Sequence, residues 1–236
     1  MSYKTHRANK RGLTKNDWLT SHHSFSFADY YNSKRMGAGK LRVLNDDTLL
    51  PEQGFNNHPH SNMEIISLPL SGELLHKDHL GNKHVIAAGD VQIMSAGRRV
   101  IHSEFNHSSK QKVNFLQIWV LPKKLDIDAR YEQKTYAQNK IINRFHPIVS
   151  SLIDDEDAVW INQDAILSLA QLDADVTTDY HTIFDLPIVY FFVISGEVTI
   201  QDETLQSRDA MYINHTQHIK VKAKKNSQIL CVETVP

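Results

Sequence analysis

Cysteine is almost absent from this chain: Cys231 is the only one among 236 residues. A single thiol cannot close an intrachain disulfide, which fits a reducing compartment, and a cytoplasmic protein is expected. Within the apolar run Ile229-Leu230-Cys231-Val232 it reads as a small buried hydrophobe. Long apolar runs are missing as well, so no segment is expected to cross a bilayer. The first residues, Met1-Ser2-Tyr3-Lys4-Thr5-His6-Arg7, lack the apolar stretch of a secretory signal. Net charge is only −1, which gives no global field to draw nucleic acid or anionic lipid. Hydrophobic and charged contents of 41% and 22% are those of a globular protein, and the length allows one large β domain or two ordinary ones.

What is present is a series of short strands punctuated by Gly, Asn and Asp. Glu64-Ile65-Ile66-Ser67-Leu68 reads as a strand that ends at the Ser71-Gly72-Glu73 turn, and Leu74-Leu75-His76 continues beyond it. Lys83 to Ile86, Val91 to Met94, Val100 to Phe105 and Val113 to Val120 follow as further strands. Pro122 to Tyr136 is polar and charged and reads as a connector. Tyr190 to Ile200 then repeats the strand, Ser-Gly-Glu turn and strand order, with Gly196 where Gly72 stood, 124 residues earlier. Ser207 to Ile213 likewise matches Ala88 to Met94. This internal repeat predicts two related β units, with one helix between them over Asn162 to Ala170. His215 and His218 in the second unit lack partners at strand spacing, so that unit is expected to be metal-free.

Histidine is abundant, at 14 residues. At that frequency roughly one His-x-His pair is expected by chance, so the weight falls on a combination. His58-Pro59-His60 is followed, 42 residues after His60, by His102-Ser103-Glu104. Side chains at i and i+2 of a strand share a face, so two such strands can aim three imidazoles and a carboxylate at one point. That set suits a divalent first-row metal with open positions. If the first strand is regular, Asn62 and Glu64 share the face of His58 and His60. Five candidate ligands then compete: His58, His60, Glu64, His102 and Glu104. Pro59, without an N–H, must sit at an edge or bulge. His76, His79, His84 and His107 read as surface or turn histidines, and His22-His23 as ordinary polar residues. Phe25, Phe27, Tyr30 and Tyr31 read as core, with a pocket lid as their other use.

Gly54, His58, His60, Glu64 and Gly72 fit the general cupin pattern, which adds His102 and leaves Glu104 spare. A more specific set is Gly54-Phe55-x-x-His58-Pro59-His60, then Gly81-Asn82, then Gly89-Asp90-Val91-Gln92-x-Met94-Ser95-Ala96-Gly97-Arg98-x-x-Ile101-His102-Ser103-Glu104. Together with Ser24 to Tyr31 and Met36 to Asp47, it resembles the pirin family of the cupin superfamily, strongly over residues 11–122 and weakly beyond. The resemblance implies an all-β bicupin: two antiparallel double-stranded β-helix (jelly-roll) barrels with a few short helices. Residues 1–135 would form the metal-binding cupin domain and 136–236 a cupin-like domain without a metal. The implied ligands are His58, His60, His102 and Glu104, with Glu64 behind them. The implied ion is Fe(II), with Zn, Mn, Ni, Co and Cu as alternatives.

Two functions follow from the resemblance. One is a quercetin 2,3-dioxygenase-like enzyme, in which the 3-hydroxyl of a flavonol binds the metal as its oxyanion. O2 then opens the ring to a depside and carbon monoxide, with Glu104 alternating between ligand and general base. The other is a redox-sensitive regulatory module that meets a protein partner. A roomy, partly apolar pocket onto the metal would mark the enzyme, and a shallow site rimmed by Arg98, Arg99 and Lys40 the module. A monomer is expected because the two units can cover one another's edges. Neither reading calls for nucleic acid or a membrane.

Overall fold

The computed structural model describes residues 2–152 and 156–236. Strands are numbered in chain order. The first half builds one large sheet in the spatial order β12 (Arg130–Thr135), β9 (Asp90–Ser95), β6 (Glu64–Ser71), β11 (Val113–Val120), β4 (Leu41–Leu49), β3 (Leu19–His23) and β2 (Gly12–Lys15). A smaller sheet faces it: β5 (Gly54–His60), β10 (Val100–Asn106), β7 (Glu73–Asp78) and β8 (Lys83–Ala87). The second half repeats the plan. Its large sheet is β1 (Ser2–His6), β20 (Ala210–Asn214), β17 (Ile188–Ser195), β22 (Ser227–Thr234), β15 (Ala165–Leu172), β13 (His146–Ser150) and β14 (Val159–Trp160). Its small sheet is β16 (Thr177–His181), β21 (His218–Ala223), β18 (Glu197–Ile200) and β19 (Glu203–Gln206). All pairings are antiparallel except β13 with β14. Each half is thus two open sheets face to face, the expected bicupin. Gly72 and Gly196 turn β6 into β7 and β17 into β18 with φ of +75° and +92°, a left-handed geometry that favours glycine at both copies of the repeat.

The halves are joined through the backs of their large sheets. Residues alternate along β11: Leu116, Ile118 and Val120 point away from the first small sheet, as do Ile66 and Leu68 on β6 and Val91 and Ile93 on β9. They form one core with Leu167, Leu169, Tyr190, Phe192, Leu230 and Val232 of the second half. Each such aliphatic side chain contributes about 1.5–3 kcal/mol on burial. β1 crosses over to pair with β20, which ties the start of the chain to the second half. Arg208 does the same from the other side, with Nε 3.0 Å from Asp46 Oδ2 and Nη2 donating to Asn114 Oδ1 at 3.1 Å.

The inward faces differ sharply. In the second half the interior is apolar, with Phe191, Val193, Met211, Ile213, Val221 and the buried Cys231. In the first half the large sheet turns polar side chains inward: Asn45, Asp47, Ser67, Gln92 and Gln117, all buried. The same inner face also carries Phe115, which packs with Leu74 and Ile86 of the small sheet, and Ile65 and Met94, which pack with Val100, so polar and apolar residues share it.

Two expectations are corrected. Asn162 to Ala170 is not a helix, since Ala165–Leu172 is β15, paired on both sides and buried almost throughout. A short apolar run does not distinguish helix from core strand by period, and the two-sided pairing decides it. The connector from Pro122 to Tyr136 contains β12, which lengthens the first large sheet beyond β9. The regular helices among the described residues are two single 3-10 turns, Ala8–Lys10 and Gln138–Lys140. No described helix is long and apolar enough to cross a membrane.

Candidate metal centre

Two short strands bring the paired motifs together. β5 is the edge of the small sheet, so Pro59 costs no ladder hydrogen bond there. It runs against β10 with His58 opposite His102 and Pro59 opposite Ile101. A register shift between His102 and Glu104 brings Gly54 and Phe55 beside Phe105 and Glu104. Gly54 is what lets the strands approach: a Cβ there would lie 2.1 Å from the Glu104 carbonyl oxygen and 2.5 Å from Phe105 Cα. Gly54→Ala is therefore expected to push β5 off β10 and weaken divalent-metal binding by about tenfold or more, read by calorimetric titration with Zn(II). Unchanged affinity would show that the strand can shift without moving its histidines.

The three imidazoles meet. Ring centroids lie 4.4 Å apart for His58–His102, 4.8 Å for His58–His60 and 4.9 Å for His60–His102. His58 Nδ1–H donates to the Asn56 carbonyl at 2.7 Å, which leaves Nε2 with its lone pair free. His102 is 1% exposed, and neither of its ring nitrogens makes a hydrogen bond. Buried nitrogens without partners are rare in a stable core, and they fit ligation. Burial first, then the neighbouring imidazoles, push His60 down to about 4 and His102 down to about 3. Both rings are thus neutral, the form that binds a metal.

Glu104 is buried beneath them, and two side chains of the large sheet hold its carboxylate. Ser67 Oγ donates to Oε1 at 2.9 Å, and Gln117 Nε2 donates to Oε2 at 2.6 Å. Ser67 Oγ also lies 3.1 Å from Gln117 Oε1, so its single proton is shared between the two acceptors. Glu64 stands elsewhere. β5 ends at His60 and β6 starts at Glu64, with Asn62 between them at φ +52°, so the strand is not regular through this stretch. Glu64 accepts from Ser95 Oγ at 2.7 Å and from the Asn162 backbone N–H at 3.2 Å. It belongs to neither of the ligand clusters among the described residues.

The second of those clusters overturns one expectation. His76 is not a surface histidine: it is fully buried, and its donor atoms group with those of His102 and Glu104 within 4.8 Å. Its signal was present in the sequence as His76-Lys77-Asp78, a carboxylate at i+2, and His76 Nε2 lies 3.2 Å from Asp78 Oδ2. His79, His84 and His107 are exposed as expected.

A cavity of ≈460 Å3 opens onto His58, His60 and Glu104. Its walls are Trp18, Leu19, Phe27, Phe55 and Trp119, with Trp18 edge-on to Phe55 and Phe27 edge-on to Trp119, each pair at 5.4 Å between centroids. A polar strip of Ser21, His23, Asn45, Asp47 and Gln117 runs along one side. His23, read from sequence as an ordinary polar residue, is buried and bonds Asn45 Oδ1 and Thr14 Oγ1, each at 2.9 Å. Of the four aromatics, Phe25 is core, Phe27 lines the cavity, Tyr30 stacks beside His23 and Tyr31 is exposed.

Burial, reinforced by Asp46 and Glu104 and opposed by the Ser21 hydroxyl, pushes the Asp47 carboxyl up to about 7 from 3.8. Between those values the folded chain keeps a proton that the unfolded chain has lost. The stability this brings is complete below 3.8 and is lost as pH rises through 7. Asp47→Asn is expected to raise the melting temperature by several degrees at pH 8, with a gain that shrinks toward pH 5. Thermal melts at both values check it, and equal gains would mean that the charge is not what burdens the site.

Comparisons with known proteins agree along the chain. The Pirin family matches residues 5–120, and the Quercetinase C-terminal cupin domain matches residues 148–234. A protein named quercetin 2,3-dioxygenase from Escherichia coli is 37% identical over 98% of this chain and 97% of its own. A pirin-like protein from Caulobacter vibrioides is 36% identical over 95% of this chain and 96% of its own. The crystal structure of the bacterial pirin YhhW from Escherichia coli in complex with nickel(II) superposes with a TM-score of 0.93, at 35% identity, over all of both chains.

Proposed function

The chain belongs to the pirin family, and on that premise we propose that it is a metal-dependent dioxygenase that opens flavonol-like substrates with O2, its ion held by His58, His60, His102 and Glu104. The observation that carries this reading is the cavity: apolar walls, a polar strip along one side, and an end formed by His58, His60 and Glu104. A regulatory module would instead present a shallow site with a charged rim. Arg98, Arg99 and Lys40 do not line the cavity, and Arg98 pairs with Asp128 at 3.1 Å on the exposed surface.

Three imidazoles and one carboxylate suit Fe(II), the ion we propose, and they also accept Ni, Co, Mn, Zn and Cu. The nickel(II) in the E. coli relative makes Ni(II) the second ion to load. A bound ion would supply Lewis acidity toward a substrate hydroxyl and a redox partner for O2.

The protein's own residues do the rest. Trp18, Phe27, Phe55 and Trp119 take a flat aromatic ring and keep water from it. Asn45 and Asp47 offer hydrogen-bond partners to ring hydroxyls along one edge, and His23 holds Asn45 in place. Glu104 takes the proton of the reacting hydroxyl on a carboxylate oxygen. Its two fixed hydrogen bonds leave one lone pair on each oxygen, one to face the ion and one for that proton. In this reading residues 1–135 carry the chemistry, and residues 136–236 support the back of the large sheet within a monomer.

Aerobic loss of quercetin, followed by its visible absorbance with Fe(II)-loaded protein, tests the proposal. Metal-dependent turnover is the expected result. No turnover at full metal occupancy would move the assignment to the partner-binding module.

A further inference from the structure

His76 is built like a metal ligand and has no task in the four-residue set. Asp78 Oδ2 lies 3.2 Å from its Nε2, and that carboxylate is itself fixed. The backbone N–H groups of Leu80 and Asn82 both donate to Oδ1 at 3.0 Å, and Asn82 Nδ2 donates to Oδ2 at 2.8 Å. A carboxylate on one ring nitrogen sets the tautomer and the orientation of a metal-bound histidine and leaves the other nitrogen as donor. Here that other nitrogen, Nδ1, is buried and makes no hydrogen bond. Tyr131 packs on the ring at 4.9 Å between centroids. The His102 ring lies 5.3 Å from it, with both of its own nitrogens unpartnered. Gln92, opposite Ser67 in the large sheet, adds two unpartnered amide atoms to the inward face. His76, His102 and Gln92 thus supply five of the twelve buried polar side-chain atoms without a partner among the described residues, which concentrates the unmet bonding in this interior.

We propose that the first half contains a second, inner position for a divalent cation, formed by His76, His102 and Glu104. The proposal rests on the reading that His58, His60, His102 and Glu104 hold the outer ion. Two imidazoles and a carboxylate, all buried and with donor atoms within 4.8 Å of one another, suit a late first-row dication such as Zn(II), Co(II), Ni(II) or Cu(II). Because His102 and Glu104 serve both positions, an ion in the inner one draws them away from the substrate-facing set. Excess cation therefore diverts the protein from its outer site, and His76 sets how readily this happens.

Calorimetric titration with Zn(II) tests it, with circular dichroism on each variant. His58→Ala/His60→Ala is expected to retain one equivalent of Zn(II). Adding His76→Gln should weaken that binding by at least about 100-fold, and adding Asp78→Asn instead by about 10- to 100-fold. In otherwise wild-type protein, Cu(II) electron paramagnetic resonance should show two components, one of them missing from His76→Gln. A folded double variant that takes no Zn(II), or whose affinity ignores His76→Gln, overturns the inner position. If the double variant does not fold, a single Cu(II) component unchanged by His76→Gln overturns it. The two sites fail separately. Wild type binding one Zn(II) while the double variant binds none removes only the inner position. Binding that ignores His58 and His60 but is lost with His76 removes the outer set instead.

Discussion

His102→Ala is expected to reduce metal-dependent flavonol loss to the level of metal-free protein, a fall on the order of a thousandfold or more. The reason is positional. His102 is the most buried of the three imidazoles, and it belongs to both proposed sets, so its removal leaves the outer one with His58, His60 and Glu104 and the inner one with only His76 and Glu104. The fold should survive. In the metal-free protein the ring carries two buried nitrogens without partners, and an unmet polar group costs about 1–3 kcal/mol. Truncation relieves that cost and leaves a cavity of comparable penalty. The metal-free variant should therefore melt within a few degrees of metal-free wild type. Added divalent ion should raise the melting temperature of wild type, by linkage worth about 2.7 kcal/mol at a hundredfold excess over Kd, and leave His102→Ala unmoved. Turnover that persisted in the variant at wild-type metal content would remove this centre from the reaction.

The sequence revealed the site better where a residue's partner lay on its own strand than where it lay across the interior. His58 with His60 and His102 with Glu104 are i and i+2 pairs; the structure groups the donor atoms of His58, His60 and His102, and it groups Glu104 with His102 and His76. Glu64 stands apart from His58 and His60 because sharing their face needs a regular strand through Ser61 to Met63, and Asn62 turns the chain there. His76 was missed although Asp78 at i+2 carried the same signal that Glu104 carries beside His102. His23, Asn45 and Asp47 were legible only as polar positions in strands. What makes them a cavity strip is that β3, β4 and β11 lie side by side, with Ser21 opposite Asp47 and Asn45 opposite Gln117, and no local pattern states that register. The fold was readable from its glycine-marked repeat. The helix expected over Asn162 to Ala170 was not, because the fate of Ala165–Leu172 depends on β13 and β22 pairing with it on either side.

Glu104→Gln separates proton transfer from architecture. The substitution keeps length and shape, and the surrounding hydrogen bonds can be redrawn. The new amide oxygen can accept from Gln117 Nε2, as Oε2 does now. The new amide N–H can donate to Ser67 Oγ, which still donates to Gln117 Oε1. Stability should therefore change little. What is lost is the negative charge and the ability to take a proton at neutral pH. The expected result is a fall in kcat of about 10²- to 10⁴-fold, the range general-base catalysis supplies. Metal affinity should fall less, since His58, His60 and His102 remain, so the assay is run at saturating ion with occupancy measured. KM should shift far less than kcat, because the cavity walls and polar strip that bind the ring are untouched. Near-wild-type kcat at full occupancy would show that another group takes the hydroxyl proton. Asp47, the other carboxyl lining the cavity, would then be the next residue to test, by the same exchange to its amide.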